Sequence, residues 1–526
     1  MVLAPQQEID DAALARGLRN LTWEAGFSNL VASLTSGVIL TAFALQLGAS
    51  NALIGVLAAL SFWAQITQAP AVVLVERLRQ RKRITVWASS ISRLALAFMA
   101  LLALAPHTGA TLSGLVLAQA LFCCAGAIGG CAWSSWVRDL APEQTLGQLF
   151  ARRTTYATAV SLAAGLLAAF ALDLAADDPA YGGPMFAGLY AVGFLAGLVS
   201  IGLLARTPEP AMPAVESQIK ILPLLRAPLR DANFLRLIRF LASWQFAVNL
   251  ATPFITVFLV RQLGYPLAFV MILNVVSQIA NLFTIRSWGV LSDRFTNKSV
   301  LTVAAPVFIA CIAALVGASQ IEDKVWCGAY LVGLHILMGG AQAGVTLATG
   351  NIALKLSPKG ASTAYIATSA LISSLAAGAA PILGGIFADF FATRRLEIAV
   401  RWFSPGEVQT WLPLTLSHWD FYFLLAAAGG LYALHRLSLV REEGEIEPGA
   451  MIGEVIAHAR QTARNLSPVA GLRMLTDIPA DLVDETRIRL RRRRALRAQV
   501  IAARSGRTKP DRPRAWAKFA PRERRR

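Results

Sequence analysis

The feature that most constrains this chain is a series of about twelve apolar stretches, each long enough to cross a bilayer as a helix. About 20 apolar residues span a hydrocarbon core of about 30 Å. Backbone N–H and C=O groups in lipid must bond within the protein, which selects helices over open strands. The pattern predicts an all-α polytopic membrane protein, with transmembrane helices over residues 26–48, 52–75, 85–105, 111–132, 154–173, 185–205, 237–260, 265–288, 299–319, 327–352, 362–390 and 420–440.

The composition excludes a soluble protein. Of 526 residues, 56% are hydrophobic and 15% are charged, and the mean hydropathy is +0.54. Soluble domains are less apolar and carry more charge than this. Residues 1–25 are polar and contain several charged side chains, so no cleavable signal peptide is expected and the first span serves as the signal.

The charges of the connections predict the orientation of the chain. Basic residues are concentrated in the connections on the side of the termini, whereas the opposite connections are short or acidic. By the positive-inside rule, both termini are expected in the cytoplasm, with the protein in a bacterial inner membrane. The exception is segment 391–419, which carries three arginines and three tryptophans and is predicted to form an interfacial helix on the outer surface.

Three landmarks predict an internal duplication. Gln-Leu-Gly at residues 46–48 recurs at 262–264, and Leu-Ala-Pro at 140–142 is matched by Leu-Ser-Pro at 356–358, both 216 residues later. Glu76-Arg77 is matched by Asp293-Arg294, 217 residues later. The sequence therefore predicts two parallel six-helix units. The expected domains are an N-terminal cytoplasmic segment 1–25, a bundle 26–205, a cytoplasmic linker 206–236, a bundle 237–440 and a basic tail 441–526.

The connection at residues 289–298 reads Gly-Val-Leu-Ser-Asp-Arg-Phe-Thr-Asn-Lys. We expect a tight turn at the cytoplasmic membrane surface, because ionised side chains are costly in hydrocarbon. The stretch resembles the signature loop of the major facilitator superfamily, with Thr296 and Asn297 where that family prefers Gly and Arg. In the first half the signature is degenerate, with Val72 in place of glycine.

The resemblance implies a secondary transporter whose halves rock around a central site. It also implies a cytoplasmic gate, closed in the outward-facing state, in which Asp293 caps the fifth helix near Arg152 and Arg153. By the duplication, Glu76 is expected near Ser362 at the start of the eleventh helix. The predicted gating residues are Gly289, Asp293, Arg294, Lys298, Glu76, Arg77, Arg152 and Arg153.

By the same resemblance, the first, fourth, seventh and tenth spans line the cavity. Polar residues inside membrane spans are costly unless they face the bundle interior or water. Each amide taken alone is as consistent with pairing between helices as with lining a pathway. As a set they favour a wet cavity for a neutral or zwitterionic solute, lined by Asn29, Thr35, Gln65, Gln119, Gln245, Asn249, Asn274, Gln278, His335 and Gln342.

Two ionisable side chains inside spans each have two interpretations. His335 is either a hydrogen-bonded packing residue, which is the default, or a proton-sensing group. Arg93 either extends its guanidinium to the cytoplasmic interface or pairs with Asp139. The carboxylates between residues 26 and 440 lie in connections or near helix ends, so the sequence predicts no midplane carboxylate for proton coupling.

No catalytic motif is present, so the chain is not expected to be an enzyme, and no cofactor or metal is expected. Residues 487–526 carry 17 Arg or Lys against two acidic residues, a balance of +15 within a total of +18. This tail is predicted to bind anionic lipid, with a nucleic-acid or protein partner for the basic run 491–494 as the alternative. No interleaved aromatic residues favour nucleic acid. The rival function is a non-transporting assembly factor or sensor that works through the tail. A monomer is expected.

Overall fold

The computed structural model describes residues 4–7, 9–176, 179–212, 226, 228–358, 362–404 and 407–442. The predictions for the basic tail beyond residue 442 and for most of the linker lie outside the described residues. The described chain is helical apart from its connections, one isolated bridge and one two-stranded sheet.

The first part of the chain forms eight helices that correspond to the first six predicted spans. Ser36 interrupts the first span, and a 3₁₀ turn at Ala64–Thr67 joins the two helices of the second. The helices are α1 Asp11–Thr35, α2 Gly37–Gln46, α3 Asn51–Trp63, α4 Gln68–Leu78, α5 Arg81–Leu102, α6 Gly109–Leu140, α7 Glu143–Ala175 and α8 Pro179–Arg206.

The second part forms six more helices and a hairpin. A π-helical turn at Phe258–Gln262 extends the first of these helices. The elements are α9 Ala232–Val257, α10 Leu267–Arg294, α11 Asn297–Ala318, α12 Lys324–Lys355, α13 Ser362–Phe391, β1 Arg395–Ser404, β2 Glu407–Ser417 and α14 Trp419–Ser438.

Several helices begin at residues whose side chains accept hydrogen bonds from the exposed N–H groups of the first turn. Asp10, Thr108, Asp231, Thr296 and Asp323 cap α1, α6, α9, α11 and α12 in this way. The cap at Asp10 lies well before the predicted start of the first span, so α1 is longer than its apolar stretch.

Within the described residues, eleven helical segments are long and apolar enough to cross a membrane. The twelfth predicted span corresponds to α14, which is not among the eleven. Asp420 lies in its first turn and His435 and Arg436 in its last, and these polar ends reduce its hydropathy.

The prediction of an interfacial helix in segment 391–419 is wrong. This segment forms the antiparallel strands β1 and β2, paired from Arg395↔Ser417 to Ser404↔Glu407 with one irregularity after Ile398. Alternating apolar and polar residues flank a Pro-Gly dipeptide at residues 405–406. Alternation around a turn dipeptide is typical of a hairpin, and this signal outweighed the tryptophans that suggested an amphipathic helix.

Consecutive membrane helices place their connections alternately at two faces. We call the face with connections 47–50, 103–108, 263–266 and 319–323 the Asn51 face, and the face with connections 79–80, 141–142, 295–296 and 356–358 the Asp293 face. The hairpin belongs to the Asn51 face. By the charge rule the Asp293 face is the one predicted to be cytoplasmic.

The signature stretch is more helical than predicted. Helix α10 continues through Arg294, and only Phe295 and Thr296 separate it from α11. The two departures from the family pattern have structural roles. The Thr296 side chain accepts from Ser299 N, while Asn297 Oδ1 accepts from Ser292 Oγ at 2.6 Å.

The helices α1–α8, here the N-terminal helices, pack largely on one another, as do α9–α14, the C-terminal helices. In the first set α1 contacts α7 and α8, and α5 contacts α6 and α8. In the second, α9 contacts α13 and α14, while α12 contacts α10 and α11. The two sets meet where α3 packs on α13 and α7 packs on α10.

Equivalent turns follow α2 and the π-helical turn. Gly48 and Gly264 adopt φ of +77° and +65°, values at which any residue with a Cβ is strained. These are the glycines of the two Gln-Leu-Gly landmarks, so the repeated sequence corresponds to a repeated backbone conformation.

Candidate functional site

The asparagines predicted to line the cavity form hydrogen bonds to their own helices. Asn29, Asn249 and Asn274 each donate from Nδ2 to the carbonyl oxygen four residues earlier, at 2.9, 2.8 and 3.0 Å. Amides that join transmembrane helices would bond to a neighbouring helix instead. Within the described residues their Oδ1 atoms accept no hydrogen bond, so they are available to a polar solute or water.

The glutamines show the same arrangement. Gln342 Nε2 donates to Thr346 Oγ1 at 3.0 Å, and Gln119 Nε2 donates to Cys123 Sγ at 3.3 Å, in both cases within one helix. The Oε1 atoms of Gln119 and Gln342 are buried and have no hydrogen-bond partner in the described part of the chain. A buried oxygen left without a donor costs about 1–3 kcal/mol. A donor supplied from outside the helix would remove that cost.

The other predicted cavity residues differ in their surroundings. Gln65 is exposed and its Oε1 accepts from Gln68 Nε2, while Gln245 and Gln278 are half-buried and form no side-chain hydrogen bond among the described residues. Thr35 is fully buried, donates to Val31 O at 2.7 Å and lies against Gly193 of α8. Thr35 therefore packs α1 against α8, whereas the glutamines retain free polar atoms.

The polar positions follow the 216-residue displacement of the duplication. Residues 29 and 245 differ by 216 positions, and so do residues 119 and 335. His335 therefore occupies on α12 the position that Gln119 occupies on α6. His335 is buried, and its Nδ1 lies 2.8 Å from Leu331 O on the same helix, as the packing interpretation predicts.

The predicted cytoplasmic gate contacts are not formed in this conformation. Asp293 is exposed and forms no hydrogen bond or ion pair within the described residues, and Arg152 is also exposed. Gly289 allows no close helix approach, since a Cβ there would lie 3.8 Å from Leu347. The gate was predicted for the opposite state, so it stays a prediction.

Arg153 pairs within the N-terminal helices. Its Nη2 lies 2.9 Å from Glu24 Oε2, and its guanidinium lies 4.6 Å from the Trp133 ring centroid. Glu24 also accepts from Ser200 Oγ at 3.2 Å and is 5% exposed. The sequence analysis missed Glu24 because it placed this residue before the first span. The N-cap signal at Asp10 predicts the longer helix that buries it.

Two glutamates at the Asp293 face cap helices of their own sets. Glu209, just after α8, accepts from Arg81 N at 2.7 Å, and Glu442, just after α14, accepts from Lys298 N at 2.7 Å. Lys355 Nζ lies 2.8 Å from Glu442 Oε1. Burial raises the pKa of Glu209, and hydrogen bonds from the backbone of Arg81 and Lys82 oppose that rise. The predicted gating residue Lys298 is thus engaged within the C-terminal helices.

The alternative in which Arg93 pairs with Asp139 is wrong. Asp139 forms an ion pair with Arg81 instead. The Arg93 guanidinium lies 5.8 Å from the Phe122 ring centroid and donates to Ser92 Oγ at 3.4 Å. Arg81, on the turn of α5 nearest the Asp293 face, competes for Asp139 because its side chain is held between that carboxylate and Glu209.

Hydrogen bonds at the Asn51 face join the two sets of helices. Asp389 of α13 accepts from the first residues of α3, and Asp173 of α7 accepts from the first residues of α10. Deeper in the bundle, Trp63 Nε1 donates to Leu375 O at 3.3 Å. The protein is therefore closed at this face.

Comparisons with known proteins agree with this architecture. The family model of the Major Facilitator Superfamily matches residues 25–334. No curated protein sequence matches the chain.

Solved transporter structures match the fold. The nucleoside transporter NupG matches with a TM-score of 0.61 and 12% identity, over 81% of this chain and 99% of that chain. The xylose transporter XylE from E. coli, in an inward-open conformation, matches with a TM-score of 0.55 and 14% identity, over 82% and 99%. A bacterial homologue of the iron transporter ferroportin, in an inward-facing state, matches with a TM-score of 0.57 and 12% identity, over 81% and 99%. The chain belongs to the Major Facilitator Superfamily.

Proposed function

We propose that this protein is a secondary transporter that moves a small organic solute by alternating access between two six-helix halves. One observation carries the proposal: the halves are joined by hydrogen bonds at the Asn51 face, while the Asp293 face carries the unengaged gate residue Asp293. A protein that closes one face at a time exposes a central site to one side of the membrane and then to the other.

The proposed halves comprise residues 26–205 and 237–440, with α14 as the twelfth span. The 216-residue displacement that relates sequence landmarks, turn glycines and polar positions supports this duplication. The segment 1–25, the linker 206–236 and the tail 441–526 are proposed to be cytoplasmic, in a bacterial inner membrane. The excess of +15 in residues 487–526 supports an anionic-lipid contact for the tail.

A neutral or zwitterionic small solute fits the proposed site best. The candidate residues offer amide oxygens and amide N–H groups, which exchange hydrogen bonds with hydroxyl, amide and amino groups. Their donor groups are held by their own helices, which leaves acceptor oxygens such as Oε1 of Gln119 and Gln342 free. This favours solutes rich in N–H or O–H donors.

Counterflow in proteoliposomes tests the proposed function. Purified protein is first screened by thermal shift against neutral and zwitterionic metabolites, and the solute with the largest stabilisation is then used in labelled form. Preloaded vesicles should accumulate labelled solute transiently, because only a transporter exchanges internal for external molecules. Binding without counterflow would contradict transport and would support the rival assembly-factor or sensor function.

Transport should depend only weakly on the pH gradient. No carboxylate is predicted at the midplane, and the His335 ring is occupied by a hydrogen bond to Leu331 O. Dissipating the gradient should slow uptake by less than about half, and His335→Gln should retain activity, because an amide can make the same bond. Complete dependence on the gradient, together with an inactive His335→Gln, would show that the histidine carries the proton.

A further inference from the structure

Two aspartates at the Asn51 face each cap a helix that belongs to the other half. Asp389 lies two residues before the end of α13, and its Oδ1 and Oδ2 accept from Asn51 N at 3.2 Å and Ala52 N at 3.0 Å. Asp173 lies two residues before the end of α7, and its Oδ1 and Oδ2 accept from Leu267 N at 2.8 Å and Ala268 N at 2.7 Å.

The two contacts are equivalent under the duplication. Residues 173 and 389 differ by 216 positions, as do residues 51 and 267 and residues 52 and 268. Each half therefore gives one carboxylate to the other half and receives one in return. The same displacement relates both donors and both acceptors, so the arrangement is a property of the repeat.

The helix starts that receive these carboxylates need them. Pro266 precedes α10 and supplies no side-chain cap, so the first N–H groups of α10 are satisfied by Asp173 from α7. Ser50 caps Leu53 N of α3 and leaves the N–H groups of Asn51 and Ala52 to Asp389. A carboxylate at a helix N-terminus is stabilised both by hydrogen bonds and by the helix dipole.

We propose that Asp173 and Asp389 form a reciprocal gate that holds the Asn51 face closed. Donors and acceptors lie on opposite halves, so the four backbone hydrogen bonds exist only while the halves meet at this face. Opening the face exchanges them for bonds to water. The gate rests on the proposed alternating access, in which the two faces open in turn.

The gate predicts how the two states respond to loss of the carboxylates. Asparagine keeps the shape of aspartate but removes the charge and presents one N–H₂ group where an acceptor is needed. In Asp173→Asn/Asp389→Asn, the ratio of molecules open at the Asn51 face to closed molecules should rise about tenfold. Each single variant should produce a smaller rise, because one contact remains.

Electron–electron distance measurements test this directly. Spin labels are placed at His107→Cys and Glu322→Cys, two exposed positions in Asn51-face connections of different halves, after the five native cysteines are replaced. The double asparagine variant in nanodiscs should show a longer distance population than the parent. Asp173→Ser/Asp389→Ser serves the same test if the asparagine pair does not fold.

Asp231→Asn is the matched control. Asp231 accepts from Asn233 N and Phe234 N, each at 3.0 Å, but it caps a helix of its own half. Its replacement should leave the distance distribution unchanged. An unchanged distribution in the double variant, or equal widening in Asp231→Asn, would overturn the gate. Because the readout is a distance, it stands apart from counterflow: absence of transport with a widened face would contradict the proposed function and leave the gate intact.

Discussion

Gly55→Ala should prevent the Asn51 face from closing and abolish transport. A Cβ at Gly55 of α3 would lie 2.1 Å from Pro381 O and 2.8 Å from Pro381 C of α13. These are backbone atoms, which cannot rotate away as a side chain does. Overpacking costs about 1–3 kcal/mol, which changes a two-state ratio by roughly 5- to 150-fold. Gly385→Ala should act alike, because its Cβ would meet Asn51 O at 2.3 Å.

The measurements are counterflow and the distance between labels at positions 107 and 322. Gly126→Ala on α6 is the control, since a Cβ there meets no atom within 4 Å. This variant should transport at the parental rate. If Gly55→Ala retained parental counterflow and a parental distance, the close approach of α3 and α13 would not be required for the transport cycle.

Arg81→Met should destabilise the protein by about 3–5 kcal/mol, the cost of removing one partner of a buried ion pair. Arg81 is fully buried, its Nε lies 3.5 Å from the buried Glu209 Oε1, and its Nη2 donates to Pro210 O at 2.9 Å. It also pairs with Asp139, which is partly exposed and adds less. Methionine fills a similar volume but leaves the Glu209 carboxylate without its cation.

Thermal and chemical unfolding in detergent would measure this effect. Arg83→Met, two residues away, is the control, because Arg83 is exposed and donates only to Gln80 Oε1 at 3.1 Å; its change should stay within about 0.5 kcal/mol. The double variant Arg81→Met/Glu209→Gln should recover part of the loss, since it removes the unpaired charge. Equal destabilisation by Arg81→Met and Arg83→Met would show that this network contributes nothing special.

The sequence predicts the helices well, because hydropathy is a local property of each stretch. Predicted span 362–390 corresponds to α13 at Ser362–Phe391, and predicted span 299–319 to α11 at Asn297–Ala318. The first helix is the main difference, beginning at Asp11 rather than at residue 26. A hydropathy criterion ends a span where water begins, whereas a helix continues until its cap.

The hairpin shows where a local argument chose the wrong signal. Tryptophan and arginine in segment 391–419 are compatible with an amphipathic helix or with a strand that has two different faces. The turn dipeptide at residues 405–406 decides between them, and β1 then pairs with β2 over its whole length. Periodicity near a Pro-Gly dipeptide is therefore the better guide in such a connection.

By itself the sequence determined that the chain is a duplicated set of membrane helices, which side chains are polar inside them, and that Asp173 and Asp389 stand near helix ends. It could not determine that these aspartates cap helices of the opposite half, or that Asn29, Asn249 and Asn274 bond within their own helices. Hydropathy and spacing are set by neighbours along the chain. A hydrogen bond between residues 51 and 389 depends on how α3 and α13 pack, so only the tertiary structure decides it.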